Sequence, residues 1–307
     1  MAQSCAPSAE KARPFLKWAG GKSTLAVEFN KMGLIPKDFN DYFEPFLGGG
    51  AVFFYLYNKG FIRSKAYLTD VNKDLVNAYN EIKTRPDQLI EELKSLEGKN
   101  SLEFFKECRS EFNALKKEKT APVKQKTRKA ALMIYLNKTC FNGLYRENSK
   151  GEFNVPFGDY KNPRILDEVN IRVVSAALRN ASISQKDFIY CANEAKEGDF
   201  VYFDPPYIPV SQTSNFTTYS GSGFSLEDQE KLVDVFSKLT EKGVMVLYSN
   251  SYSDQVRDLF DGVDGAVLNT VSASRFINCN GSGRGPVLEY AITNFKSNVT
   301  QTQLELD

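Results

Sequence analysis

The chain of 307 residues contains no histidine, and this absence excludes more chemistry than any other feature of its composition. Without an imidazole there is no Ser-His-Asp triad, no histidine general base and little means of building a zinc site. The five cysteines are scattered without metal-ligand spacing, and their odd number argues against a disulfide framework. Any catalysis by this chain must work without an imidazole, and we predict no bound metal.

Long apolar runs and a strong excess of either charge are also missing. No stretch approaches the ~20 apolar residues of a membrane span, and residues 1–10 lack the apolar core of a signal peptide. These patterns predict a cytoplasmic protein with no membrane partner. Because the formal net charge is only +1, a nucleic-acid partner would have to be met by a local basic surface.

What the sequence does contain is an alternation of strand and helix patterns. Strands are predicted at 41–44, 65–70, 182–184, 200–203 and 244–248, and helices at 51–58, 72–84, 170–180, 226–241 and 254–260. Two late strands, at 265–271 and 288–294, are expected to pair antiparallel. This order of elements predicts an α/β fold with a doubly wound sheet flanked by helices.

The middle of the chain interrupts this alternation. It contains an amphipathic helical pattern at 86–119, a basic run at 116–129 and a turn-rich segment at 140–160. We therefore predict an insertion at 86–164 in a discontinuous domain of residues 11–85 and 165–296, with flexible tails at 1–10 and 297–307. The basic run suits phosphate contact, although a solvated helix end or mobile loop explains its individual lysines better.

A glycine turn follows the first predicted strand. Gly48, Gly49 and Gly50 open a helix there, and Asp70 ends the next strand, where an acid can hold ribose hydroxyls. This arrangement favours an adenosine-bearing ligand, although the motif is not the one that binds NAD. A second cluster, at 20–23, ends like a phosphate-binding loop, but Leu16 stands where that loop requires glycine.

The segment Asp204-Pro205-Pro206-Tyr207 leaves the predicted strand at 200–203. The Asp204 carboxylate and the Pro205 carbonyl can each accept one N–H of an exocyclic amine, which directs the lone pair of the nitrogen out of the ring plane. The prolines fix φ, which preorganises the carbonyl, and Tyr207 can stack on the base. The alternative is an ordinary turn after a core strand, with Tyr207 packed.

The chain resembles the DNA adenine N6-methyltransferases of the Dam type from about residue 13 to residue 295. The resemblance rests on segments that occur in the same order as in that family, namely 17–22, 43–50, 69–70, 141–146, 151–158, 160–163 and 204–207. It implies a Rossmann-like methyltransferase sheet with S-adenosylmethionine as methyl donor. It also implies that the insertion is a mostly helical target-recognition domain with a β-hairpin.

The resemblance assigns residues to two sites beside the catalytic Asp204 to Tyr207. The methyl donor is expected to contact Trp18, Ala19, Gly20, Lys22, Phe43, Glu44, Pro45, Phe46, Gly48, Gly49, Gly50, Asp70, Asp187, Phe188 and Asp204. DNA is expected to contact Lys17, Phe141, Asn142, Leu144, Arg146, Asn154, Pro156, Ser214, Asn215, Arg275 and Arg284. In GATC-reading members, the residue matching Phe141 wedges near the flipped base. The residue matching Leu144 contacts a thymine methyl, and the one matching Arg146 reads a guanine.

The implied reaction is methylation of adenine N6 in double-stranded GATC after base flipping. The same chemistry on another DNA sequence, RNA adenine, cytosine N4 or a protein glutamine stays open, as does a non-catalytic DNA-binding protein. Asp204 favours adenine, because cytosine enzymes more often carry Ser before Pro-Pro and glutamine enzymes carry Asn. We expect a monomer in a prokaryotic or phage-infected cell, and leave open a dimer and a partner restriction endonuclease for the same site.

Overall fold

The computed structural model describes residues 10–118, 122–208, 224–274 and 286–297. The chain forms two compact units, and each is discontinuous in sequence. We call Met1–Gly21, Gly48–Gly60 and Asn72–Ala181 the helical unit. The sheet unit is made of Lys22–Leu47, Phe61–Val71 and Ser182–Asp307.

Seven strands form one sheet, which lies in the sheet unit apart from the first residue of its third strand. The strands are β1 (Tyr42–Glu44), β2 (Ala66–Asp70), β3 (Ala181–Gln185), β4 (Phe200–Phe203), β5 (Met245–Ser251), β6 (Val267–Ser274) and β7 (Pro286–Thr293). Their order is β3-β2-β1-β4-β5-β7-β6. β1 pairs parallel with β2 and β4, β4 pairs parallel with β5, and β7 runs antiparallel between β5 and β6. The predicted fold class and the antiparallel late strands are confirmed.

The strand order reverses between β1 and β4, which are direct neighbours with Tyr42 opposite Phe200 and Phe43 opposite Val201. In open parallel sheets, ligands bind outside the carboxyl ends of the strands at such a reversal. Glu44 ends β1, and Asp204 follows the last residue of β4. The topology therefore places both segments at the ligand-binding edge of the sheet.

The described residues form ten α-helices. They are α1 (Ser23–Lys31), α2 (Ala51–Asn58), α3 (Lys73–Thr84), α4 (Pro86–Lys94), α5 (Leu102–Lys116), α6 (Val123–Thr139), α7 (Glu168–Ala177), α8 (Cys191–Glu194), α9 (Leu226–Glu241) and α10 (Asp254–Leu259). α1, α8, α9 and α10 belong to the sheet unit, and the others belong to the helical unit. None of these described helices has the length and apolar character needed to cross a membrane.

α9 shows how the sequence builds the sheet unit. Ser225 and Asp228 form a reciprocal capping box at its start, which satisfies two otherwise unpaired N–H groups. Leu232, Phe236 and Leu239 recur at helical spacing and are fully buried in the core. Burial of each such side chain contributes about 1.5–3 kcal/mol.

The helical unit differs in one respect from the prediction of a single helix at 86–119. Two helices, α4 and α5, lie there, separated by a turn in which Gly98 has φ +70. Ser101 then caps α5 by accepting a hydrogen bond from the Phe104 N–H at 3.1 Å. The positive φ ends one helix, and the cap begins the next.

Residues 140–158, within the predicted turn-rich segment, form an irregular β-hairpin, and "the hairpin" refers to these residues from here on. Antiparallel bridges join Cys140 to Phe157 and Glu147 to Phe153, with a short 3₁₀ turn at Phe141–Gly143. The predicted insertion, 86–164, lies wholly within the helical unit. The division into a catalytic domain and a separate recognition domain stays a prediction.

Candidate active site

Asp204 emerges from β4 into a nearly closed environment in the sheet unit. Its Oδ1 lies 3.1 Å from Lys22 Nζ and accepts a hydrogen bond from Ser249 Oγ at 3.2 Å. The side chains of Asp204 and Lys22 are 20% and 7% exposed, so water screens this ion pair only weakly. Among the described residues, no hydrogen bond reaches Asp204 Oδ2, which remains available as an acceptor.

Two opposing influences set the protonation of Asp204. Burial raises the pKa of its carboxyl group above the usual range, because a charged group loses hydration there. The adjacent Lys22 ammonium and the Ser249 hydroxyl act in the other direction and favour the carboxylate. Lys22 therefore helps to keep Asp204 an acceptor.

A buried polar network holds the backbone that follows Asp204. Gln229 Nε2 donates to the Pro206 carbonyl at 2.9 Å, and Asn250 Oδ1 accepts from the Ile208 N–H at 3.1 Å. Gln229 itself accepts from the Tyr248 hydroxyl at 2.8 Å. Within the described part of the chain, no hydrogen bond reaches the Pro205 carbonyl. The network fixes the turn and leaves this second acceptor free.

Tyr207 is oriented from two sides. Its hydroxyl donates to Glu289 Oε2 at 2.7 Å, and Lys22 Nζ lies 4.2 Å from the centre of its ring. Burial, with the nearby charges of Asp204 and Glu289, raises the pKa of Tyr207 well above its usual value. Tyr207 is therefore a neutral, held aromatic ring beside Asp204.

Several residues predicted to contact the methyl donor have side chains packed in the core of the sheet unit. The Phe43 ring, 1% exposed, stacks on Tyr67 with centroids 4.6 Å apart. Phe46 and Phe188 stack on each other at 5.5 Å. Phe43 and Phe188 belong to the core of the sheet unit, Phe46 packs against it, and Pro45 is also buried.

The acidic candidates of the sheet unit have distinct surroundings. Glu44 is 2% exposed and accepts a hydrogen bond from the Tyr42 hydroxyl at 2.8 Å. Asp70 is partly exposed at the end of β2. Asp187 is exposed and caps a 3₁₀ turn through the Ile189 N–H at 3.0 Å. Of the three, Asp70 and Asp187 are accessible from solvent.

In the helical unit, the glycine turn packs against the only tryptophan of the chain. Gly48 has φ +47, and a Cβ added there would lie 2.9 Å from Trp18 Cδ1, so no other residue fits. A Cβ on Gly49 would lie 3.3 Å from Trp18 Cβ. The opposite neighbour of the indole is Tyr145, stacked at 5.7 Å. Ala19 and Gly20 follow Trp18 on an exposed turn.

Lys17 and the Phe141–Gly143 turn, both predicted to contact DNA, meet in the helical unit. Asn137 is 3% exposed and donates from Nδ2 to the carbonyls of Lys17 and Gly143, each at 2.8 Å. Its Oδ1 accepts from the Lys17 N–H at 2.8 Å. Asn142 has φ +54, and Phe141 is 49% exposed, which is unusual for a phenylalanine.

The next predicted DNA contacts lie on the outer side of the hairpin. Arg146 is exposed, and its Nε donates to Asn154 Oδ1 at 2.8 Å. Leu144 is partly exposed and Pro156 is exposed. The hairpin therefore presents an arginine, an amide and apolar groups to solvent within the same unit.

The family comparison agrees with this geometry. The model of the D12 class of N6 adenine-specific DNA methyltransferases matches residues 18–274 of the chain. The chain belongs to this family. It is an adenine-specific DNA methyltransferase, and the methyl donor of such enzymes is S-adenosylmethionine.

Individual relatives match along nearly the whole methyltransferase. It is 43% identical over 285 residues to the type II methyltransferase M1.LlaDCHI of Lactococcus lactis subsp. cremoris, covering 92% of this chain and 95% of the relative. It is 40% identical to the type II methyltransferase M.MjaIII of Methanocaldococcus jannaschii, covering 92% and 99%. It is 36% identical to the DNA adenine methylase of Escherichia coli, covering 91% and 94%.

Acidic residues outside the basic run neutralise most of its charges in the methyltransferase. Lys116 is buried in ion pairs, Lys117 lies 2.8 Å from Glu152, and Arg128 bonds Glu111 at 2.8 Å. Among its described residues, only Lys124 and Lys126 are exposed without an acidic partner. Phosphate contact by the run, if it occurs, falls to these two lysines.

Four predicted DNA contacts of the methyltransferase, Ser214, Asn215, Arg275 and Arg284, lie outside the described residues. Conversely, the sequence analysis missed Gln229, Ser249, Asn250, Glu289 and Asn137. Polar residues within apolar strand and helix patterns were the available signal, because a buried polar group needs a partner. Their partners are distant in sequence, so the pattern alone did not identify them.

Proposed function

We propose that the enzyme methylates adenine N6 in double-stranded GATC, with the adenine flipped out of the duplex. The observation that carries this proposal is that Asp204 Oδ2 and the Pro205 carbonyl, at the strand-order reversal, accept no hydrogen bond from any described residue. Two adjacent acceptors on a rigid turn suit an –NH₂ group. Such a group is accessible on adenine only when the base leaves the stack.

The acceptor pair activates a poor nucleophile. The lone pair of N6 is delocalised into the purine ring, and hydrogen bonds from both N–H groups to Asp204 and Pro205 favour a pyramidal nitrogen. As the nitrogen bonds the methyl group, the bond from that carbon to the donor's sulfur would break and the sulfur would leave as a thioether. The nitrogen gains positive charge, which the Asp204 carboxylate, only 20% exposed, stabilises. The nitrogen then loses one proton, for which Oδ2 is the adjacent acceptor.

Tyr207 and Lys22 complete the site for the base. The Tyr207 ring, held by Glu289, offers a flat surface against which the flipped adenine stacks. Lys22 keeps Asp204 charged through its contact with Oδ1, so that Oδ2 stays directed at the amine. Orientation of the amine relative to the methyl donor then supplies much of the rate.

S-adenosylmethionine, when bound, supplies the methyl group. We assign its site to the predicted residues, with Asp70 for the ribose and the glycine turn for the methionine end. The partly exposed acid at the end of β2 and the side-chain-free glycine turn packed beside Trp18 support this assignment. The rings of Phe43 and Phe188 are buried in the core of the sheet unit, where they support the backbone of these segments.

The GATC assignment rests on the resemblance of residues 141–146 to GATC-reading enzymes. The exposed Arg146 supports it, because arginine to guanine O6 and N7 is the commonest specific pairing in the major groove. The half-exposed Phe141 suits a wedge beside the extruded base. A restriction endonuclease for the same site is the matching partner, since two relatives carry type II methyltransferase names.

The proposal is tested by incubating the purified enzyme with tritiated S-adenosylmethionine and short duplexes. Label is expected in the GATC duplex, but not in a scrambled duplex or in a GATC duplex already methylated at N6 on both strands. Equal label in the scrambled duplex would refute GATC specificity. Label only in an RNA of the same sequence would replace DNA by RNA as the substrate.

A further inference from the structure

Two side chains of the hairpin join a largely buried cluster of charged groups, next in sequence to Arg146, the residue proposed to read guanine. Tyr145 and Glu147 alternate with Arg146, so their side chains turn inward while Arg146 faces solvent. There they meet Asp74 of α3, Lys116 of α5 and Lys129 of α6. We call Asp74, Lys116, Lys129, Tyr145 and Glu147 the Lys116 cluster.

Short contacts connect every member of the Lys116 cluster. Lys116 Nζ lies 2.6 Å from Asp74 Oδ2, donates to the Tyr145 hydroxyl at 2.8 Å, and pairs with Glu147. The Tyr145 hydroxyl lies 2.8 Å from Asp74 Oδ2, and burial raises the pKa of Tyr145 so that it stays a donor. Lys129 Nζ lies 3.0 Å from Asp74 Oδ1.

Burial of the charges in the Lys116 cluster costs free energy. The cluster acts by favouring one arrangement of the hairpin over others. The side chains of Lys116 and Asp74 are only 4% and 1% exposed, so both charges lose most of their hydration. Buried ion pairs of this kind contribute little net stability, and removing one partner is strongly destabilising. Two carboxylates and two ammonium groups balance only if Glu147, whose side chain is 31% exposed, pairs with Lys116 at the edge of the cluster. A shift of the hairpin by one residue would place Arg146 there instead.

The Lys116 cluster also reaches the glycine turn within the helical unit. The ring of Tyr145 stacks on Trp18, and Trp18 packs against Gly48. The hydroxyl of Tyr145 is therefore bound to the cluster while its ring supports the indole. One residue of the hairpin thus connects the proposed reading surface to the turn proposed to hold the methyl donor.

We propose that the Lys116 cluster determines base specificity by fixing the register and orientation of the hairpin, so that Arg146 is held outward at the guanine. Tyr145 and Glu147 are positioning residues that act through Arg146 without touching DNA. This inference rests on the proposed reading of GATC. It adds the device that keeps the reading residue in place.

The test compares Tyr145→Phe with Tyr135→Phe. The first keeps the ring on Trp18 and removes the hydroxyl from the cluster. The second removes a hydroxyl that donates to the Lys99 carbonyl at 2.8 Å, elsewhere in the same unit. The readout is kcat/KM on GATC divided by kcat/KM on a duplex with the guanine replaced. Loss of a hydrogen bond to a charged group should weaken the fixed orientation of the hairpin, and with it the reading of guanine by Arg146. The ratio should therefore fall about tenfold in Tyr145→Phe and stay unchanged in Tyr135→Phe.

Trp18 supplies a second readout that needs neither DNA nor methyl donor. It is the only tryptophan in the chain, so protein fluorescence reports the stack with Tyr145. Glu147→Gln and Tyr145→Phe should both increase quenching of Trp18 by acrylamide, since the hairpin is held less firmly. Tyr135→Phe should not.

The outcomes separate this inference from the proposed function. An unchanged ratio in Tyr145→Phe, or an equal fall in both tyrosine variants, would overturn the positioning role. If the unaltered enzyme shows no preference for GATC, the proposed function fails. Fluorescence then decides whether the cluster holds the hairpin, and unchanged quenching in every variant would refute this as well.

Discussion

At the scale of single residues, the proposed function uses a carboxylate whose charged form is disfavoured by burial. Burial raises the pKa of Asp204, and the contact with Lys22 limits the rise. A carboxyl group whose folded pKa is raised favours folding at low pH and loses that contribution as pH rises through the folded pKa. Asp204 is therefore retained for chemistry at a cost in stability, which is common at functional sites.

Replacement of Asp204 by alanine should reduce methyl transfer by at least about 10²–10³-fold, because a preorganised acceptor is lost. DNA binding should be largely kept, since the hairpin lies in the other unit. Single-turnover rates and a gel-shift titration measure the two effects. Asp234→Ala is the control, because Asp234 is an exposed aspartate on α9 of the same unit. Normal turnover by Asp204→Ala would disprove the acceptor pair.

The pH profile of kcat should show an acidic limb above the ordinary aspartate pKa of about 3.9, because the carboxylate is the active form and burial raises its pKa. Lys22→Gln removes the charge that lowers this pKa, so the limb should move to higher pH. Rates are measured at saturating donor and DNA. Lys31→Gln, an exposed position on α1, should leave the limb in place. A limb that does not move in Lys22→Gln would contradict the role assigned to Lys22.

At the scale of elements, the continuous apolar strands were predicted well because a buried parallel strand leaves an unambiguous pattern. The helix at 51–58 was also predicted with the bounds of α2. α1 was missed, since only Leu25, Ala26 and Phe29 of its nine residues are buried and no side chain caps its start. The break between α4 and α5 depends on a positive φ at Gly98, which the helical pattern concealed.

The α9 helix contributes Gln229 to the turn after Asp204. Gln229→Met keeps the shape of the side chain but cannot donate to the Pro206 carbonyl. Since small misplacements of reacting groups are costly, the single-turnover rate should fall about 10–100-fold, with KM for DNA nearly unchanged. Gln88→Met on the exposed face of α4 serves as the control. An unaltered rate in folded Gln229→Met would show that the turn holds itself.

The basic run gives a prediction about salt dependence. Changing both Lys124 and Lys126 to glutamine should reduce the slope of log affinity against log salt by about 1.8, if each neutralises one phosphate. Arg128→Gln should leave the slope unchanged, because Glu92 and Glu111 already pair with Arg128. Filter binding across a salt series measures the slopes. Equal slopes in all variants would remove the run from the DNA interface.

At the scale of the whole molecule, the methyl donor should stabilise the enzyme by mass action. A donor concentration of 100 times its Kd should add about 2.7 kcal/mol to the free energy of unfolding. Thermal unfolding with and without S-adenosylmethionine measures the effect, and methionine alone provides the control. A midpoint that stays constant at saturating donor would refute the assigned site.

The candidate site was predictable to the extent that it is contiguous in sequence. Asp204 to Tyr207 and the glycine turn were identified because their residue types, in order, suit amine and nucleoside chemistry. Glu289 and Asn137 were not identified, because each acts on a partner far away in the chain. Predicted locations and partners, such as the cytoplasm and an endonuclease, stay predictions.

The sequence by itself determined the fold class, the chemistry excluded by the missing histidine, and the turn proposed to accept an amine. These follow from local pattern and side-chain chemistry, which do not depend on what packs against them. Only the tertiary structure decided which atoms of that turn are bonded by other described elements, because Lys22, Ser249 and Gln229 reach it from distant positions in the sequence. It also decided that most of the basic run is paired, since ion pairs form between residues that the fold brings together.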